Sequence, residues 1–140
     1  MSAAIPASLA RQVVARANDA CEYCKLPQRT QEATFHIDHI HPRADGGETT
    51  EGNLALACVS CSLKKSARIH VLDPRTKRFV RIFHPRQDSW SDHFLWTRNW
   101  RLIGRTSIGR ATIKALGINR PAILRIRRIW ASPGEFDSDS

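Results

Sequence analysis

Residues 35–65 read FHIDHIHPRADGGETTEGNLALACVSCSLKK. The stretch opens on apolar Phe35, Ile37 and Ile40 in a strand-like frame, into which His36, Asp38, His39 and His41 are set. A strand at roughly 34–40 that only had to pack would not need four titratable groups in six positions. Alternate side chains of a strand share a face, so His36, Asp38 and Ile40 point one way while Ile37, His39 and His41 point the other. ADGGETTEGN, rich in Gly, Thr and acid, must be a loop. LALAC is a short apolar segment, and VSCSLKK starts a helix with basic residues on its exposed side.

Two C-x-x-C pairs bracket this region: CEYC (Cys21, Cys24) and CVSC (Cys58, Cys61). Such pairs are the usual source of tetrahedral thiolate coordination for Zn²⁺. A redox dithiol would need a βαβ context that is missing, and buried free thiols would need no pairing. Four thiolates leave no open coordination position, so the zinc would be structural.

Asp38 is a hard oxygen donor suited to Mg²⁺. A neutral histidine beside it, with an ordinary pKa near 6.5, can take a proton from water. A cation on a phosphate plus a base on water is a recipe for phosphodiester hydrolysis. From these residues alone the alternative is a set of satisfied surface histidines.

The order of motifs adds to this. CEYC, the Asp38-His39 pair, the Gly-rich loop, the Asn53-Leu54 step, CVSC and the basic helix follow one another as in the HNH endonucleases, the ββα-metal or His-Me finger family, which residues 21–66 resemble. The resemblance implies an α+β fold, a small ββα-metal nuclease core with structural zinc. It implies His39 as general base, Asp38 as ligand of a catalytic Mg²⁺ or Mn²⁺, and Asn53 as the brace of the loop bearing the histidine. Cys21, Cys24, Cys58 and Cys61 match the zinc knuckles. Lys64 and Lys65 on the basic helix, with His41 and Arg43 beyond the strand, are the expected phosphate contacts. His36, on the Asp38 side, would complete the metal site or hold the scissile phosphate. For His36 and His41 a solvent-facing histidine is the alternative. The family usually places Asn or His directly after the second knuckle as a metal ligand. Here it is Ser62, whose hydroxyl ligates more weakly than an amide oxygen.

The net charge of +9 is unevenly placed: residues 1–63 hold 5 Lys/Arg against 7 Asp/Glu, and residues 64–140 hold 17 against 6. So basic a half suggests a polyanion, with Arg and Lys neutralising phosphates; a solvated basic surface is the alternative. DNA is the expected partner, and RNA offers the same phosphodiester chemistry. One such domain grips one strand, so nicking is expected, and double-strand cutting would need a homodimer or a larger nucleoprotein complex. A competing reading, favoured by Ser62, is a catalytically inactive zinc module that binds nucleic acid or docks in a complex. No run of ~18 apolar residues suggests a membrane span, and the N-terminus lacks a signal-peptide pattern, so a cytoplasmic setting is expected.

Outside the motif the chain divides into an N-terminal segment (1–20), the nuclease core (21–68), a basic C-terminal α/β extension (69–131) and an acidic, polar tail (132–140) expected to be disordered. PASLARQVVARAN (6–18) reads as an amphipathic helix with Leu9, Val13 and Ala17 on one face. VLDPRTKRFVRIF reads as a hairpin, and DSWSDHFLW as a helix start capped by Asp88 or Ser89. WRLIG reads as a strand, and SIGRATIKALG as a helix closed by Gly117. RPAILRIRRIW reads as a helix with Ala122, Ile123, Ile126, Ile129 and Trp130 at apolar spacing and Arg125, Arg127 and Arg128 elsewhere. Trp90, Trp96, Trp100 and Trp130 would pack in the core or stack on unpaired bases.

Overall fold

The structure, a computed structural model, describes residues 5–131; the tail at 132–140 lies outside the described residues. Chain order is α1 (Ala7–Arg16), β1 (His36–His39), β2 (Leu54–Ala57), α2 (Val59–Lys65), β3 (His70–Leu72), β4 (Phe79–Arg81), α3 (Trp90–His93), β5 (Phe94–Trp96), β6 (Leu102–Gly104), α4 (Ser107–Leu116) and α5 (Pro121–Trp130). The strands form three separate antiparallel pairs, β1–β2, β3–β4 and β5–β6. β1–β2 followed by α2 is the α+β arrangement expected of a ββα core.

The alternation of FHIDH makes a two-faced strand, whereas all four residues of β2 are buried, as LALA demands. Register pairs His36 with Ala57 and His39 with Leu54. The outer edge of β2 is covered from the first knuckle. Glu22 N–H donates to the Leu56 carbonyl at 2.8 Å, and the Leu56 N–H donates to a Glu22 carboxylate oxygen at 2.9 Å. α1 lies over β2, with Val13 buried and Leu9 and Ala17 packed beside it.

The extension closes over α2. Helix α4 packs on α2, β3, β4 and β6. Its start is capped by the Thr106 hydroxyl, which accepts from the Gly109 N–H at 3.0 Å, and its end by Gly117 at φ +58°. A Cβ on Gly109 would fall 2.1 Å from the His93 carbonyl oxygen, so only glycine lets α4 come this close to the end of α3. Asn119 acts as a false strand for β6, donating to the Leu102 carbonyl and accepting from the Leu102 N–H, both at 2.8 Å.

Two open alternatives are decided and one local expectation, the inward face of the last helix, is corrected. Asp88 does not cap α3; it accepts a two-pronged bond from Arg81 and one from the His84 N–H, and Ser89 takes the cap position without a side-chain capping bond to the helix. In α5 the inward face is Ile123, Leu124 and Arg127, while Ile129 is 78% and Trp130 48% exposed. The helix turns about its axis relative to its apolar count because Arg127 finds backbone acceptors inside. Trp90 is core, and its ring meets Trp96, which in turn meets Trp100.

Candidate metal centres and nuclease site

The two knuckles converge. All four sulfurs of Cys21, Cys24, Cys58 and Cys61 lie within 4.8 Å of one another, and all four residues are buried. Cys24 and Cys58 Sγ atoms are 3.8 Å apart. A Zn–S bond of about 2.3 Å in a tetrahedron requires sulfurs about 3.8 Å apart, and a disulfide about 2.05 Å. Each knuckle points a backbone N–H at its first sulfur: Cys24 N–H at Cys21 Sγ (3.5 Å), and Cys61 N–H at Cys58 Sγ (3.4 Å). Lys25 takes φ +66°, which turns the chain back so that its N–H donates to the Cys21 carbonyl at 2.8 Å. Burial pushes the Cys21 thiol up, while hydrogen bonds from the other cysteines push Cys58 far down. A soft, closed four-sulfur cage of this kind could hold a zinc ion. Among the described residues it is the one grouping of three or more Cys, His, Asp or Glu ligands.

β1 presents two different faces, as its alternation requires. On the α2 side His36 Nδ1 lies 2.8 Å from Ser62 Oγ. Asp38 stands next on that face, where its Oδ2 accepts from Tyr23 Oη at 3.1 Å and pairs with Lys65 Nζ at 3.2 Å. Burial raises the Asp38 carboxyl above its ordinary value, with Lys65 opposing the shift most strongly. Lys65 is itself fully buried and also donates to the His39 carbonyl at 3.1 Å. The expected outward reach of Lys65 to phosphate is thus corrected. Its position at the C-terminal end of α2 aims the ammonium at the only nearby carboxylate of β1, while Lys64 stays exposed.

On the other face His39 is half-buried, with Nε2 2.9 Å from Thr49 Oγ1. Its pKa is held below the ordinary 6.5, first by burial and then by the positive charge of Arg43. Asn53 fixes this loop completely. Its Oδ1 accepts from the His41 N–H (2.8 Å), and its Nδ2 donates to the carbonyls of His41 (3.0 Å) and Glu48 (2.8 Å). Its own carbonyl accepts from the Ile40 N–H at 2.9 Å. One side chain therefore ties the end of β1 to the residue preceding Thr49. Gly47 completes the turn, since a Cβ there would overlap the His41 carbonyl at 1.8 Å. His41 is used locally, its Nε2 lying 3.0 Å from Asp45 Oδ2, and Arg43 is exposed. A cleft of about 400 Å³ opens beside Asn53, with Ile40, Ile82, His70, Arg81 and His84 on its walls.

Sequence reasoning missed Thr49, Tyr23 and Glu22. Thr49 was hidden in a loop with no periodicity. Tyr23 and Glu22 were hidden because the knuckle drew attention to its cysteines, although buried Tyr and Glu inside C-x-x-C are themselves a signal of polar partners.

Residues 21–68, about a third of the chain, match the family model described as HNH endonuclease. The resemblance read from the motif order holds over this stretch, and it supports a nuclease-type function at the level of the family. No curated protein and no solved structure shows a match to the chain. No helix among the described residues is long and apolar enough to cross a membrane.

Proposed function

We propose that residues 21–68 form a metal-dependent endonuclease site that nicks DNA, with His39 as general base and Asp38 as ligand of the catalytic cation. The observation that carries this is the His39–Thr49 contact on a loop clasped by Asn53. If Nε2–H donates to the Thr49 hydroxyl, the Nδ1 lone pair is left for a water proton. The lowered pKa keeps the ring neutral, as a base must be. Asn53 and Thr49 are then positioning residues.

Asp38 gives a hard carboxylate donor, and both of its protein contacts fall on Oδ2, so Oδ1 is the atom to offer. Mg²⁺ typically uses one or two carboxylates and completes its shell with water and phosphate oxygens, which suits a site with a single carboxylate flanked by His36 and Ser62. When bound, Mg²⁺ or Mn²⁺ would supply electrophilic assistance at the scissile phosphate. Lys64, Arg43 and the exposed arginines of the extension hold the polynucleotide; His41 serves there only by leaving Asp45. Cys21, Cys24, Cys58 and Cys61 hold a structural Zn²⁺ that fixes β2 and α2 to the first knuckle.

A second reading is favoured by one contact. Lys65 already neutralises Asp38, and Ser62 hydrogen-bonds His36, which is how an inactive zinc module that binds nucleic acid would look. Supercoiled plasmid and a parallel RNA substrate, each incubated with Mg²⁺, Mn²⁺ or EDTA, separate these readings. Metal-dependent nicking of plasmid that His39→Ala abolishes supports the nuclease. Binding without cleavage under any metal supports the inactive module. RNA cleaved in preference to DNA overturns the substrate assignment.

A further inference from the structure

Arg127 is fully buried, although it lies in a helix whose other arginines are not. Its Nη2 donates to the Cys24 carbonyl at 3.1 Å and its Nη1 to the Trp100 carbonyl at 3.2 Å. The guanidinium carbon sits 4.9 Å from the centre of the Trp96 ring. Its Nε has no hydrogen-bond partner, and among the described residues no carboxylate lies within ion-pair distance. Two carbonyls and a ring face do not balance a full positive charge, and a buried unbalanced charge is strongly disfavoured. A guanidinium so placed needs an anion nearby.

The knuckle supplies one. Zn²⁺ with four thiolates carries a net charge of −2, here enclosed in residues that are at most 2% exposed. Burial holds the Arg127 guanidinium below its ordinary value, and Cys24, Cys61 and Cys21, once ionised as zinc thiolates, are the groups that oppose this shift. Other cations near the knuckle are engaged differently: Lys25 Nζ lies 5.4 Å from the centre of the Trp90 ring, and Lys65 is paired with Asp38. We infer that Arg127 is the counter-charge of a zinc tetrathiolate at Cys21, Cys24, Cys58 and Cys61, and that through it the docking of α5 is coupled to metal loading. This rests on the zinc reading of the four-cysteine cage. With thiols in place of thiolates, the same guanidinium would be buried against neutral sulfur, and α5 would be held less firmly.

The test compares full-length wild type with Arg127→Lys, Arg127→Gln and Arg127→Met. Zinc content is measured by metal analysis, and zinc affinity by competition with a chromophoric chelator. Hydrogen exchange of residues 121–130 is followed with and without zinc. One zinc per wild-type chain is expected, with Lys close to wild type and both Gln and Met weaker by about 10–100-fold, the usual range for a partner of a metal ligand. Wild-type α5 should exchange faster once zinc is withdrawn. Equal affinity in all variants, or equal losses for Lys and Gln, overturns the counter-charge role, the second outcome assigning Arg127 to packing alone. Unchanged protection of 121–130 on zinc removal overturns the coupling. A zinc-free wild type overturns the four-cysteine reading and this inference together. If Arg127→Met does not fold, the Lys–Gln comparison decides.

Discussion

Residues 21–68 use their polar side chains to hold one strand and one loop in place, whereas residues 69–131 use theirs to attach themselves to that unit. In the first region Asn53, Lys65 and Thr49 all converge on the backbone or ring around His39. In the second, Arg86 pairs with Glu22 of the first knuckle, Arg127 donates to the Cys24 carbonyl, and Trp90 Nε1 donates to the Tyr23 carbonyl at 3.1 Å. Arg110 and Arg81 are bound to Asp73 and Asp88 within the extension. The strongly basic half is therefore less of a phosphate surface than its charge count suggests. Several of its cations are structural, and the positive surface left exposed is correspondingly smaller.

The harshest way to break this contrast is Cys58→Ser. Structural zinc contributes about 10–16 kcal/mol of apparent binding energy in small domains, against a typical total stability of about 5–15 kcal/mol. The variant should lose zinc and unfold, with far-UV and near-UV circular dichroism collapsing together. If the near-UV signal of the tryptophans survives, the extension folds independently and its bonds to the knuckle are incidental.

Next in size is His39→Ala, expected to lower nicking by about 10²–10⁴-fold while DNA binding in a gel-shift assay stays near wild type. The pH profile sharpens this. A base acts when neutral, and a depressed pKa keeps His39 neutral to lower pH, so the acid limb of the wild-type profile should lie below 6.5. Arg43→Ala removes a charge that opposes protonation, so its acid limb should move upward. An acid limb that does not move rules out Arg43 as a determinant of the His39 pKa.

Lys65→Met probes the buried pair. Removing one member of such a pair typically costs about 3–5 kcal/mol because the other charge is stranded. Without Lys65, the Asp38 pKa, already raised by burial, should rise further. The penalty should then be full above that pKa and shrink as the pH falls and Asp38 becomes neutral. Chemical denaturation of both proteins across pH 4–8 measures it. A penalty independent of pH would mean that Lys65 acts through its bond to the His39 carbonyl and not through Asp38.

What was legible in the chain follows the same division. The cage, the two-faced strand and the loop could be read because each has a fixed spacing: C-x-x-C, period two, and a Gly-Gly turn. The end of α4 was legible for the same reason, with Gly117 closing it, whereas the Thr106 cap at its start was not read. Lys65 and Arg127 were misread because burial of a cation depends on acceptors contributed by distant segments: Asp38 and the His39 carbonyl for one, the Cys24 and Trp100 carbonyls for the other. No local pattern encodes those meetings. Thr49 was silent for a related reason, since a loop threonine acquires a role only when Asn53 fixes the loop beside His39.

The smallest expected effect concerns the face of β1 that the first region shares with α2. Ser62 Oγ lies 2.8 Å from His36 Nδ1, so the hydroxyl is engaged by the histidine. Asp38 takes its contacts from Tyr23 and Lys65 instead. An amide at this position could reach a cation on Asp38 directly, where the serine would act through an intervening water. Ser62→Asn should therefore lower the metal concentration for half-maximal nicking by no more than about tenfold, the low end for altered metal partners, with little change in rate at saturation. Ser62→Ala should leave the half-point nearly unchanged, because it removes only a bond to an exposed histidine. Mn²⁺ should outperform Mg²⁺ in the wild type, since it accepts nitrogen donors such as His36 more readily. Metal titrations of the three proteins decide between direct and indirect ligation. Loss of activity in Ser62→Ala would make the hydroxyl a direct ligand, and the two faces of β1 would then differ less than their contacts suggest.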